Sequence, residues 1–263
     1  HLFHAKESVI LTSATLTTDD RFDYLRERLH AWDADELAVG SPFDYKSSTL
    51  LYLQVDIHEP NQAYFHKTVE QALLGLCRAT EGRALVLFTS YSQLRATARA
   101  ITRPLSDDGI VVYQQGTGIS RVQLLENFRT TPKSVLMGTR SFWEGVDVVG
   151  QALSVLVIAR LPFAVPDEPI YAARAETFDN PFMEYGIPET ILRFRQGFGR
   201  LIRTKTDRGV VVVLDKRLLT KSYGPMFLNS LPECTRVRAS LDKLPDAAKR
   251  WLALEPEDTD STF

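Results

Sequence analysis

No Gly-Lys dipeptide occurs anywhere in this sequence. The chain therefore carries no P-loop, whose lysine must directly follow a glycine to reach a nucleotide's phosphates. No strand-like run ends in an acidic cluster of the kind that holds magnesium, and Asp33-Ala-Asp-Glu36 follows a helical pattern and reads as surface. Cysteine is scarce: Cys77 and Cys234 lie far apart with no CxxC partner. They cannot build a zinc or iron–sulfur site unaided, and they argue against a disulfide framework. No run approaches the roughly 18 apolar residues of a membrane span, and no signal peptide opens the chain. A reducing, cytoplasmic protein without a membrane partner is expected. Charge of one sign is also missing: the net charge is −2, so any nucleic-acid site must be local rather than a global basic field. Internal repeats and low-complexity segments are absent. The chain opens His1-Leu-Phe-His4 without methionine, which reads as the end of a fragment cut from something longer, not as metal ligands.

What is present is ordinary for a soluble globular protein: 263 residues, 44% hydrophobic and 24% charged, enough for one large or two small domains. Strands are expected over residues 8–12, 49–55, 84–88, 110–113, 134–137, 153–158 and 209–214. Helices are expected over 19–29 (with Thr17 or Thr18 as N-cap), 61–79, 92–103 and 121–128, with a further one opening around Pro188. The runs 153–158 and 209–214 are continuously apolar, as in strands covered on both faces. Leu161-Pro-Phe-Ala-Val-Pro-Asp-Glu-Pro169 is a proline-rich excursion, followed by a polar helix to about Phe178. Residues 255–263 read as a frayed acidic tail. Alternating strands and helices predict a parallel sheet with helices on both faces. Ligands on such sheets sit beyond the carboxyl ends of the strands. Residues 12–15, 89–91, 114–116, 138–147 and 215–217 each follow a strand there.

Two stretches are dense in chemistry. In the helix that opens at Pro188, Ile187, Ile191, Phe194, Phe198 and Leu201 fall on one apolar arc, and Arg193, Gln196, Arg200 and Arg203 on the opposite side. Arginine's planar fork stays charged and suits phosphate oxygens. Gly197 and Gly199 flank the stripe, each at about 1 kcal/mol against Ala in a helix, as though something must approach the backbone closely. The plain alternative is a solvated basic face. In Gly138-Thr-Arg-Ser-Phe-Trp-Glu144-Gly145-Val-Asp147, the two carboxylates stand three apart, able to share one face of a helical turn. They suit orienting an arginine, a water or a ribose hydroxyl, or else a local cap and salt bridge.

Thr12-Ser-Ala-Thr15-Leu, Leu87-Phe-Thr89-Ser90, Ser141-Phe-Trp-Glu144-Gly-Val-Asp147 and Gln196-Gly-Phe-Gly-Arg200-Leu-Ile-Arg203 occur in this order. They resemble motifs III, IV, V and VI of superfamily-two helicases, in the XPD/DinG-like branch. The Trp-Glu-Gly-Val-Asp form and Asp215-Lys-Arg217-Leu-Leu look especially like the DinG side. The resemblance runs from Val9 to about Leu231 and implies a RecA-like three-layer α/β fold. It divides the chain into residues 1–30 (the motif III strand and helix, linking from an absent first motor domain, with the strand expected at the margin of the fold, weakly paired, displaced or docked on a neighbouring molecule), 31–232 (the second motor domain) and 233–263 (an extension and tail).

By the same resemblance, Arg200 and Arg203 would be arginine fingers reaching a γ-phosphate, assisted by Gln196. Glu144, Gly145, Asp147 and Gly199 would lie at the nucleotide edge. Thr12, Ser13, Ala14 and Thr15 would couple hydrolysis to domain movement. Thr89, Ser90, Tyr91, Gln115, Gly116 and Thr139 would lie on a single-stranded DNA track. ATP and Mg2+ would be held mainly by the absent first domain, and any iron–sulfur cluster would belong to that part and not to this chain. The expected partners are single-stranded DNA and the N-terminal motor domain of the same polypeptide, in a monomer serving DNA repair. Two other readings stay open: a stand-alone nucleic-acid or partner-binding module with a degenerate helicase fold, and a small-molecule transferase gripping a phosphorylated substrate.

Overall fold

Seven short runs rich in Val, Leu and Ile pair side by side, every neighbour parallel, in the order β3-β4-β2-β5-β6-β1-β7. The computed structural model describes residues 6–13, 15–17, 21–143 and 152–253. Its strands are β1 (Thr49–Gln54), β2 (Ala84–Leu87), β3 (Val111–Gln114), β4 (Ser134–Gly138), β5 (Val155–Ile158), β6 (Gly209–Val213) and β7 (Thr235–Ala239). The helices are α1 (Asp23–Leu29), α2 (Tyr45–Ser48), α3 (Phe65–Ala79), α4 (Tyr91–Asp107), α5 (Arg121–Thr130), α6 (Arg140–Trp143), α7 (Pro169–Ala175), α8 (Ile187–Phe198), α9 (Arg217–Thr220), α10 (Gly224–Asn229) and α11 (Leu244–Ala253). A π-turn over Phe182–Gly186 runs directly into α8.

Side chains alternate across a strand with period two, and β1, β2, β4, β5 and β6 are buried on both sides. Leu51, Leu85, Leu136, Leu156 and Val211 join a core with α5, α6, α8 and α10. Leu50, Val86, Val135, Val157 and Val212 join a second core with α3, α4 and α11. This is the expected α/β sheet covered on both faces. β7 and α11 extend it past residue 232: β7 pairs with β1, and Leu244, Ala248 and Trp251 of α11 enter the second core. At the other end of the chain, α1 docks where α8 begins. There the Tyr24 hydroxyl donates to Glu189 Oε1 at 2.7 Å, and burial together with that carboxylate raises the Tyr24 pKa well above the usual phenol range.

Several elements differ from expectation. Residues 8–12 form no strand, and Ile10 is 85% and Leu11 47% exposed. A strand's amides need a neighbour, and none of the seven strands accepts this segment. α1 starts at Asp23 with Phe22, not a threonine, at its N-cap. α3 begins at Phe65 and not 61, because Tyr64 sits in left-handed backbone at φ 67°. α4 outlasts the expected 92–103, running to Asp107 through Pro104. The helix around Pro188 stops at Phe198 and leaves Arg200 and Arg203 beyond its end.

Two tight turns allow a clean test of close packing. Gly82 (φ +77°) and Gly109 (φ +73°) both lie in left-handed backbone, where a side chain costs about 1–2 kcal/mol. A Cβ on Gly82 would meet the Ser134 backbone at 2.8 Å, whereas one on Gly109 meets nothing. In urea titrations Gly109→Ala should lose about 1 kcal/mol. Gly82→Ala should lose at least about 1 kcal/mol more, since overpacking adds its own penalty; equal losses would refute the contact.

Candidate nucleotide and nucleic-acid site

The loops that leave β2, β3 and β4 converge. Gln115, just past β3, spends its whole amide there. Its Nε2 donates to the Tyr91 hydroxyl at 2.7 Å and to Ser141 Oγ at 2.9 Å. Its Oε1 accepts the Thr139 N–H at 2.8 Å and the Thr139 hydroxyl at 2.9 Å. Tyr91 is 44% exposed. Its ring lies where a Cβ on Gly116 would come within 3.6 Å, and the Arg95 guanidinium stands 5.9 Å from the ring centroid. Gly116 itself holds φ +92°, a conformation open to glycine. Ser90 caps α4, accepting the Gln93 N–H at 3.3 Å, and Thr89 is exposed beside it. Tyr91, Gln115, Gly116 and Thr139 are thus brought together, with Ser141 and Arg95 added. Ser141 meets Gln115 across two elements, α6 and the loop after β3, whereas Arg95 stands one helical turn beyond Tyr91 on α4.

A second group gathers at the end of α8. Two glycines weaken the helix there. The Gly199 N–H still bonds the Arg195 carbonyl at 2.9 Å, while the Arg200 N–H turns to Gly197 O at 3.1 Å. Arg200 and Arg203 therefore do not continue a helical stripe. Arg200 Nε donates to the Trp143 carbonyl at 3.3 Å. Arg203 is fixed by Asp207, whose Oδ2 accepts its N–H at 2.7 Å and that of Thr204 at 2.8 Å. Arg193 pairs instead with Glu189 at 3.9 Å. Gln196 Nε2 reaches Thr15 Oγ1 at 3.5 Å, and its Oε1 is buried with no partner among the described residues. Arg195, which the sequence reading passed over, donates to the Thr17 carbonyl and, at 3.0 Å, to its hydroxyl. Ser13 Oγ accepts the Thr15 N–H at 3.2 Å; Thr12 is exposed. Ala14, Glu144, Gly145 and Asp147 lie outside the described residues.

The short helix α6 joins the two groups. Ser141 faces Gln115. Two residues on, Trp143 gives its carbonyl to Arg200 and its indole N–H to the Phe88 carbonyl at 3.2 Å. The Trp143 ring packs where a Cβ on Gly197 would stand 2.9 Å away. The close approach that the glycine allows is thus made by the chain's own tryptophan.

Past β5 and β6, the buried carboxylate of Asp215 accepts the Leu161 N–H at 2.8 Å and pairs with Arg217 at 2.9 and 2.6 Å. Burial opposes the Arg217 charge, but this pairing outweighs it and raises the pKa. Arg160 is shifted down by burial and then by Arg217. Among the described residues no group of three or more His, Cys, Asp or Glu could hold a metal, and no helix is long and apolar enough to cross a membrane. Both cysteines are buried, and desolvation pushes the Cys77 thiol up to about 12.

Residues 73–234 match the family model described as Helicase C-terminal domain. The chain is 37% identical over 240 residues to the 3'-5' exonuclease DinG of Bacillus subtilis, covering 88% of this chain and 26% of that protein. It is 42% identical over 239 residues to the ATP-dependent DNA helicase YoaA of Haemophilus influenzae, covering 89% and 37%. The chain thus spans between a quarter and two-fifths of these relatives. A solved structure titled XPD_APO superposes with a TM-score of 0.58 at 22% identity, over 73% of this chain and 40% of that one, which shows the shared RecA-like fold. The chain belongs to the helicase C-terminal domain family, in the XPD/DinG-like branch of superfamily two.

Proposed function

We propose that this chain is the second motor domain of an ATP-dependent DNA helicase, presenting arginines to a nucleotide held mainly by a first motor domain and carrying part of a single-strand track. The observation that carries this reading is α6, which touches Gln115 with Ser141 and Arg200 with the Trp143 carbonyl. One rigid turn thereby links a hydroxyl- and aromatic-rich surface to an arginine-rich one. The Haemophilus influenzae relative's name, ATP-dependent DNA helicase, supports it.

The residues at the end of α8 fit a polyphosphate. Arg200 and Arg203 are half-buried cations within one short turn, and the buried Gln196 Oε1 has no hydrogen-bond partner among the described residues. Phosphoryl transfer demands positioning and charge stabilisation more than covalent chemistry. ATP with Mg2+, when bound, supplies the free energy of hydrolysis. Arg200 and Arg203 then offset charge on the terminal phosphate, Asp207 fixes the backbone at Arg203, and Gln196 orients at the same cleft. Gly199, and by the sequence resemblance Glu144, Gly145 and Asp147, are assigned to the nucleotide edge. Gln196 and Arg195 hold residues 15–17, so the Thr12–Thr15 segment follows any movement of α8. On the other side of α6, Tyr91, Gln115, Gly116 and Thr139 meet the strand, with Thr89 and Ser90 beside them. Few cations line this surface, so affinity of the domain alone is low.

Three measurements test the reading. The purified chain, lacking a Walker lysine, should show no DNA-stimulated ATP hydrolysis; turnover that disappears with Arg200→Ala would contradict it. In the intact protein, Arg200→Ala or Arg203→Ala should lower kcat by at least about 10³ while single-strand affinity hardly moves. Loss of DNA binding with turnover intact would reverse the assignment. For the track, Tyr91→Ala should weaken binding of a labelled oligonucleotide about fivefold or more, since a stacked base contributes roughly 1–3 kcal/mol. Tyr91→Phe, which keeps the ring, should weaken it less. The salt slope should be shallow, about −0.7 per phosphate neutralised. Unchanged affinity in Tyr91→Ala removes the ring from the track.

A further inference from the structure

Beside the Gln115 network a cleft opens between the loop after β2, α6 and the proline-rich excursion, lined by Thr89, Arg140, Trp143, Phe163, Val165 and Arg193 among others. Its cavity volume is about 100 Å³. One water needs roughly 10–15 Å³ and a whole drug-sized ligand roughly 300–1,000 Å³, so the cleft suits one planar ring system and not a complete nucleotide. The lining is mainly apolar, formed by Trp143, Pro162, Phe163, Ala164 and Val165. Arg140, with a side chain 73% exposed, stands at the rim in a 3.0 Å ion pair with Glu168.

The excursion is held in place. Asp215 fixes its first N–H at Leu161, Arg217 lies 5.1 Å over the Phe163 ring, and Phe182 stacks on that ring at 5.8 Å and 20°. A wall fixed from three sides does not lose freedom on binding, which favours affinity. It is also continuous with the track, because Thr89 lies between Phe88, which accepts the Trp143 indole, and Ser90, which caps the Tyr91 helix.

We infer that this cleft receives one unstacked base of the single strand that crosses Tyr91 and Gln115, with the adjoining phosphate on Arg140. The inference rests on the reading of the track given above. A base has apolar faces and a polar edge, which matches apolar walls with Arg193 as a donor among them. Extruding a base costs least when it is already unpaired. The cleft therefore breaks the strand's stacking at one fixed position and sets a one-base register.

Abasic scanning tests this with the intact protein and a labelled single-stranded oligonucleotide held in one register by a blocked end. Removing the base at one position should cost about tenfold in Kd, and neighbouring positions less than threefold. Ala164→Trp, which fills the cleft, should weaken the intact oligonucleotide about tenfold, with no further loss when that same base is removed. Phe163→Leu, which keeps apolar volume without the ring, should show the same non-additivity, so a folding defect in one variant does not decide the matter. Equal losses at every position, or additive losses in both variants, overturn the cleft. If Tyr91→Ala still weakens binding in that case, the track stands and only the cleft falls; if the wild type binds no single strand, both fall. Displacement of the strand from the wild type by a proline-rich peptide, with no abasic effect, would assign the cleft to protein instead.

Discussion

The wedging of Trp143 between strand end and helix is the contact on which the rest of this surface depends. Its indole N–H goes to the carbonyl that follows β2, its ring lies on Gly197, and its own carbonyl takes Arg200. A buried indole needs both an apolar bed and one acceptor, and this sheet supplies the two from different elements. If Trp143 shifts as a whole, its bonds to the Phe88 carbonyl and to the Arg200 Nε change together. Packed interiors do not deform continuously, so α6 and the end of α8 move as one piece or not at all.

That stiffness gives the glycines their meaning. Gly197 costs the helix stability, and the gain is an aromatic ring at backbone distance. Gly138 is of the same kind: a Cβ there would stand 2.4 Å from Phe142, so β4 can pass directly into α6. Both faces of α6 are thereby set by backbone, which ordinary side-chain rotation cannot loosen. The Asp207 turn at Arg203 does the same by hydrogen bonds.

Much of this was legible in the residues. Period and β-branched runs located strands such as 153–158 and 209–214 because those strands are buried on both faces, where composition leaves little choice. The convergence of the loops after β2, β3 and β4 followed from parallel topology, which places every strand's exit on one side. Other features were not legible in composition and spacing. The segment 8–12 has the composition of a buried strand, and its exposure was legible only through the resemblance, which assigns the sheet it would pair with to an absent first domain. The 100° rule carried the arginine stripe past Phe198 because periodicity does not register where paired glycines end a helix. Arg195, Ser141 and Asp207 act through contacts between elements distant in sequence or through side chain-to-backbone bonds, neither of which spacing encodes. β7 went unread because its alternating Arg236 and Arg238 resemble a polar loop.

The saturation of Gln115 has a consequence for recognition. An amide that meets a base edge in pairs must keep one donor and one acceptor available. Here both are committed within the protein, to two hydroxyls on one side and to the backbone and hydroxyl of Thr139 on the other. The residue most able to tell adenine from the other bases is thereby silenced. What the surface presents is ring face, hydroxyl and cation, which on the proposed track every nucleotide would satisfy equally. On the proposed track, these four hydrogen bonds would leave the Gln115 amide nothing with which to read a base edge.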